Sequence, residues 1–167
     1  MIWRVERSAD MVGTQMTPWL DLTETVIPID TSFGLNGISA SDDGEVLLTV
    51  HFDSGRLFRI DVATREVTEV DLGPDLLTTG DGILLDGQTL LVVREKPGGV
   101  YPVRLDADLR TGEVGEPFGE GLLLPTTIAE YEGEVLVVNS QLNDQDSPEL
   151  PFTIARIPLP ESVDLTE

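Results

Sequence analysis

Six polar residues stand at regular intervals among the apolar segments of this chain. Asn36, Asp81 and Thr126 come immediately before Gly37-Ile38, Gly82-Ile83 and Thr127-Ile128, so that the three openings, at 37, 82 and 127, are 45 positions apart. His51, Arg94 and Asn139 close the apolar segments that follow, GEVLLTVH from 44, GQTLLVVR from 87 and GEVLVVNS from 133. Amide and carboxylate oxygens such as those of Asn36 and Asp81 suit a hard cation, Ca²⁺ or Mg²⁺, and accommodate Zn²⁺ or Mn²⁺ with water in the remaining positions. His51, Arg94, Thr126 and Asn139 are the groups available to orient a bound molecule. His51 is the only histidine, which excludes a serine triad and a multi-histidine metal site within the chain. With no cysteine, disulfides, thiolate zinc sites and a cysteine nucleophile are excluded too.

Short strands must hold these residues. Each opening leads through a turn into a strand that is apolar on both faces. A third strand follows in each unit, RLFRIDV at 56, VYPVRLD at 100 and PFTIARIPL at 151, and the first two units add a fourth, EVTEVDL at 66 and EVGEPF at 113. Asp42-Asp43-Gly44, Asp53-Ser54-Gly55, Asp86-Gly87, Pro97-Gly98-Gly99 and Glu132-Gly133 are turn sequences at the joints. No window carries a helical period. Four antiparallel strands per unit of about 40–50 residues is the grammar of a β-propeller blade. The expected fold is all-β: one partial propeller domain over 1–167, with outer strands of a preceding blade in 1–30, blades in 31–73 and 80–118, an incomplete last blade in 124–160 and a tail in 161–167. Inner strands are expected near 35–41, 81–86 and 125–131. IWRVER and TPWLDLT would be the third and fourth strands of the preceding blade, with Trp3 and Trp19 as packing residues. Neighbouring strands run antiparallel, so the first residue of each inner strand and the last of the next meet at one mouth of the central tunnel. That places all six polar side chains around one volume.

The bulk composition is that of a folded soluble domain, with 40% hydrophobic and 25% charged residues. Ten basic against thirty-one acidic residues give a net charge of −21. Nucleic acid would be repelled, because phosphate binding needs clustered Lys and Arg, and the acidic surface would concentrate cations. No apolar run approaches the roughly 18–20 residues of a membrane span, and MIWRVERSAD lacks the apolar centre of a signal peptide. No membrane association and no export are expected for the chain as given.

The segments FGLNGISASDDGEVLLTVHFDSGRLFRIDVATREVTEVDL, TTGDGILLDGQTLLVV and LPTTIAEYEGEVLVVNSQ resemble the C-terminal half of a six-bladed propeller of the gluconolactonase, senescence-marker-protein and luciferin-regenerating-enzyme superfamily. The similarity is closest to bacterial members, some of which carry the name superoxide dismutase. It covers nearly the whole chain but half of the family's domain. The resemblance implies a divalent metal in the tunnel, Ca²⁺ first, held by Asn36 and Asp81, which match the family's later two ligands; its early glutamate has no counterpart. It further implies a metal-dependent hydrolase of sugar lactones or related esters. In that reading the ion polarises the carbonyl, Asp81 or a bound water supplies the base, and Arg94 or His51 orients the substrate.

Other readings stay open. Asn36 suits a strand cap and Asp81 a turn; His51 suits a surface or pocket-lining group, and Arg94 a structural ion-pair partner. NDQDSPE at 143–149 has a calcium-like composition without EF-hand spacing, which reads as a solvated loop. A non-catalytic ligand- or ion-binding propeller, or a fragment of one, is the alternative function. Since propellers close with four to eight blades, this chain is expected to need a second copy or an N-terminal half.

Overall fold

The computed structural model describes residues 1–5, 15–142 and 146–165. They form thirteen strands and one short 3₁₀ turn, Leu22–Glu24. No helix among them is long and apolar enough to cross a membrane. The strands make four antiparallel sheets in chain order. A two-stranded sheet pairs β1 (Ile2–Val5) with β2 (Met16–Leu20). The first four-stranded sheet runs β3 (Leu35–Ala40), β4 (Val46–His51), β5 (Leu57–Asp61), β6 (Val67–Glu69). The second repeats it with β7 (Gly80–Asp86), β8 (Thr89–Arg94), β9 (Val100–Leu105) and β10 (Gly112–Val114). A three-stranded sheet ends the series with β11 (Pro125–Tyr131), β12 (Glu134–Asn139) and β13 (Ile154–Pro158).

Two separate cores bind the last three sheets into a stack. Val46, Leu48, Val50 and Leu57 of one four-stranded sheet meet Leu85, Leu90, Val92 and Val103 of the next. The opposite face of that second sheet, with Leu91, Val93 and Val100, meets Ile128, Val135 and Val137. Strands buried on both faces need apolar residues at successive positions, which is why VLLTV and LLVV do not alternate. Phe58 and Ile60, on the face of the first four-stranded sheet turned away from Leu57, are also fully buried. The Arg65 guanidinium lies 6.0 Å from the centre of the Trp19 ring, placing β2 near the outer edge of that sheet. Trp3 departs from the expected packing role: it stands half exposed. Residues 161–165 are more than a tail, since Val163 and Leu165 are buried in the second core.

The inner strands β3, β7 and β11 lie side by side, and glycine makes their approach possible. A Cβ built on Gly37 would lie 2.3 Å from the Asp81 carbonyl oxygen, and one on Gly82 would lie 2.7 Å from the Thr126 carbonyl oxygen. Any side chain there would drive the strands apart. The third unit ends the series, and Thr127 occupies the corresponding position with its side chain exposed. The glycines of NGI and GDG are therefore demanded by packing, whatever chemistry their neighbours perform.

Candidate functional site at the strand openings

Asn36, Asp81 and Thr126 occupy the same irregularity in three successive sheets. The register slips by one residue between Leu35 and Ile38 against β4, between Gly80 and Ile83 against β8, and between Pro125 and Ile128 against β12. One extra residue bulges the inner strand at each opening, and bulges commonly re-aim a side chain. Two positions earlier the backbone is left-handed each time, at Gly34 (φ 72°), Thr79 (φ 58°) and Leu124 (φ 45°). Thr79 and Leu124 pay the steric cost of that conformation without being glycine. Their carbonyls and that of Gly34 accept equivalent bonds from the amides of Phe52 (2.8 Å), Glu95 (3.0 Å) and Ser140 (3.2 Å). The openings are thus one backbone device used three times.

The residues closing β4, β8 and β12 hold this device in place. His51 is fully buried, its Nδ1 accepting from the Ser54 amide at 3.1 Å. That bond leaves the proton on Nε2, which donates to the Pro28 carbonyl at 3.1 Å. The Arg94 Nε donates to the Thr78 carbonyl and its Nη2 to the Thr78 hydroxyl, both at 2.8 Å, while its guanidinium lies 4.6 Å from the centre of the Tyr101 ring. Asn139 accepts from the Leu123 amide through Oδ1 and donates to Thr153 Oγ1, both at 2.9 Å. Each of the three reaches back to the segment that leads into the inner strand of its own sheet. His51, expected at a surface or a pocket wall, is enclosed, and Arg94 anchors a loop through Thr78 and forms no ion pair among the described residues. Of the residues proposed to bind substrate, Thr126 is half-buried and forms no side-chain hydrogen bond among the described residues.

The two proposed metal ligands differ in setting. Asn36 is exposed, without a side-chain hydrogen bond among the described residues, and its neighbour Gly37 abuts the Asp81 peptide. Asp81 is half-buried and hydrogen-bonded to the Glu95 carboxyl; burial first, then the charge of Glu95 and the bond to it, push its pKa up to about 6. Two carboxyl groups in contact need a proton or a cation between them. Glu95 was not visible as a site residue in the sequence. Its repeat equivalents are Phe52 and Ser140, so the only signal was an acid directly following a strand-closing residue. Donor chemistry fits a hard cation: two carboxylates, Asp81 and Glu95, and the amide oxygen of Asn36. Among the described residues no three His, Cys, Asp or Glu side chains converge, so the remaining ligands would be the Asn36 amide, backbone carbonyls or water.

A second acidic group lies at the far end of β7. Asp86 has its pKa raised, by burial first and then by Asp42, Glu130 and Asp164. Loop 143–149 is described only from 146 onward, where the Glu149 amide donates to Gln141 Oε1 at 2.7 Å and Gln141 Nε2 donates to the Glu149 carbonyl at 3.0 Å. No family model matches the chain, and no curated protein matches it.

Proposed function

We propose that the sheets are blades of a partial six-bladed propeller and that its strand openings form a divalent-cation site serving hydrolysis of a lactone or related ester. The observation that carries this reading is the Asp81–Glu95 carboxyl pair, set on a bulge beside the opening that bears Asn36. Asn36, Asp81 and Glu95 would hold the ion, Ca²⁺ in preference to Zn²⁺, Mg²⁺ or Mn²⁺ because the donors are all oxygen. Bound there, it would supply Lewis-acid polarisation of the ester carbonyl. A carboxyl group raised toward neutrality is matched to taking a proton from an attacking water and returning it to the departing ring oxygen. In that step the C–O ring bond breaks, one oxygen of water joins the carbonyl carbon, and a hydroxy acid results. Thr126, whose side chain forms no hydrogen bond among the described residues, would contact the substrate.

A second reading is favoured by a specific observation. His51, Arg94 and Asn139 are engaged in holding loops, which leaves few groups for orienting a substrate and suits a non-catalytic ligand- or ion-binding module, or part of a longer propeller. Calorimetric titration of chelator-treated protein with Ca²⁺, Mn²⁺ and Zn²⁺, paired with a pH-indicator assay on an aldonolactone, separates the two. Hydrolysis lost on chelation and in Asp81→Asn supports the enzyme. Cation binding without turnover supports the module, and absence of both overturns the site.

A further inference from the structure

We infer that the two ends of the sheet stack are complementary surfaces and that they join two copies of this chain head to tail. At the C-terminal end, the face of the β11–β13 sheet opposite the second core carries Ala129, Tyr131, Leu136, Val138 and Ile154 together with the paired Glu134 and Arg156, whose guanidinium lies 5.6 Å from the centre of the Tyr131 ring. Tyr131 is 49% exposed and Ile154 62%. At the N-terminal end, one face of the hairpin carries Trp3, Val5 and Met16, each more than half exposed. Ile38, on the face of the first four-stranded sheet that carries Phe58, is 49% exposed at the inner strand of that sheet. The two junctions among the last three sheets bury such residues.

Three arguments select a second copy, and the head-to-tail sense, as the occupant. The first is repetition. Within the chain the later face of each four-stranded sheet packs on the earlier face of the next sheet, and the described residues leave one uncovered face of each kind. The second is area. Large aromatic side chains bury about 150–250 Å² each, so Trp3 at one end and Tyr131 at the other, each half exposed, offer on the order of 100 Å² apiece, to which Val5 and Met16 at the first and Ile154 at the second add exposed aliphatic surface. A stable interface of standard size takes about 800 Å² per partner, of which somewhat over half is apolar. The third is charge. In a chain of net charge −21, the described residues of the hairpin end, 1–5 and 15–20, hold Arg4 and no acid, whereas 125–142 and 146–158 hold five acids against Arg156. Joining like ends at the C-terminal face would oppose two acidic surfaces; joining unlike ends sets a basic surface against an acidic one. A head-to-tail contact closes when the rotation completes a ring, and two copies bring six sheets of three or four strands together with two hairpins.

Sedimentation velocity of the chain between 1 and 100 µM, in buffered 0.15 M NaCl, tests this. The expected species has twice the 18.2 kDa mass. Met16→Glu and Ile154→Glu, at opposite ends, should each yield monomer, while Leu76→Glu, exposed on a connecting loop, should remain dimeric. Equimolar mixing of the two monomeric variants should restore a dimer, because one unaltered end of each survives; an interface between like ends would not be rescued. Far-UV circular dichroism checks the folding of each variant, and Val5→Glu with Tyr131→Asp replaces any that fails. Wild-type monomer at 100 µM, dimers undisturbed by both end variants, no rescue on mixing, or particles that grow without limit with concentration would each overturn the inference.

Discussion

Replacing Asp81 with asparagine should make the protein more stable at neutral pH and should alter how its stability follows pH. The carboxyl is lifted from 3.8 to about 6 by burial and by Glu95. Its folded value is raised, so the native state binds the proton more tightly than the unfolded chain between about pH 4 and 6, and the contribution is lost as pH rises through that window. At about 1.4 kcal/mol per pH unit the lift would be worth about 3 kcal/mol for a wholly enclosed group. Asp81 is only half-buried, and solvent screening reduces this to about 1 kcal/mol. The asparagine keeps the hydrogen bond and never ionises. Its advantage over wild type should grow from near zero at pH 4 to about 1 kcal/mol at pH 7.5, or about 2–4 °C in melting temperature for a chain of this size. Urea titrations of both proteins at four pH values, with chelator present, measure that difference. Asp53, Asp61 and Asp106, held low by backbone amides, change stability in the opposite sense, but equally in both proteins, so they cancel. An Asn-minus-wild-type difference that stays flat from pH 4 to 7.5 would show that Asp81 is not strained by its surroundings.

Gly37→Ala and Gly82→Ala should each cost about 2 kcal/mol or more, because the new methyl meets backbone of the adjacent inner strand. Gly44→Ala, with φ +71° and open space around it, should cost only about 1 kcal/mol; equal losses in chemical denaturation would dismiss the close-approach argument. Arg94→Lys should lose about 1–2 kcal/mol, since an ammonium cannot reproduce the fork onto Thr78 or lie over Tyr101 in the same way; a stability equal to wild type would make the fork irrelevant. Asn139→Leu should strand the Leu123 amide and cost about 1–3 kcal/mol, measurable by the same denaturation. Raising salt from 0.05 to 0.5 M should raise the melting temperature by screening repulsion within a −21 chain, and a fall on calorimetry would contradict it.

Strand positions were readable from the sequence because apolar runs and turn residues repeat together. Inner strands expected near 35–41, 81–86 and 125–131 lie at Leu35–Ala40, Gly80–Asp86 and Pro125–Tyr131. The glycines marking the openings were visible, but their physical reason was not, since it depends on a neighbouring strand 45 residues away. Left-handed Thr79 and Leu124 were hidden because neither residue type advertises that conformation. The loop-holding roles of His51, Arg94 and Asn139 depend on partners 16 to 23 positions back, whose identities vary from unit to unit. Glu95 escaped for the same reason: its importance comes from facing Asp81 across the end of the sheet, and nothing in its local spacing says so. Residues 161–165 looked polar enough for a tail, yet two aliphatic side chains among them suffice to dock the segment.

The division of the interior into two cores gives the molecule a one-dimensional energetic structure. Each sheet is coupled only to its neighbours, so stability is distributed as a chain of nearest-neighbour terms, as in repeat arrays. Among the described residues, the junction between the two four-stranded sheets has thirteen buried residues, whereas the junction to the last sheet has eight, two of them from residues 161–165. Melting should therefore run inward from the C-terminal side. The last sheet can open while the first junction stays closed, and amide hydrogens of β12 should exchange with solvent before those of β4 and β8. Of the three openings, the one bearing Thr126 belongs to this weaker unit. Asn36, Asp81 and Glu95 belong to the pair of sheets that opens last, which keeps the carboxyl pair assembled through fluctuations that would scatter the groups beside it.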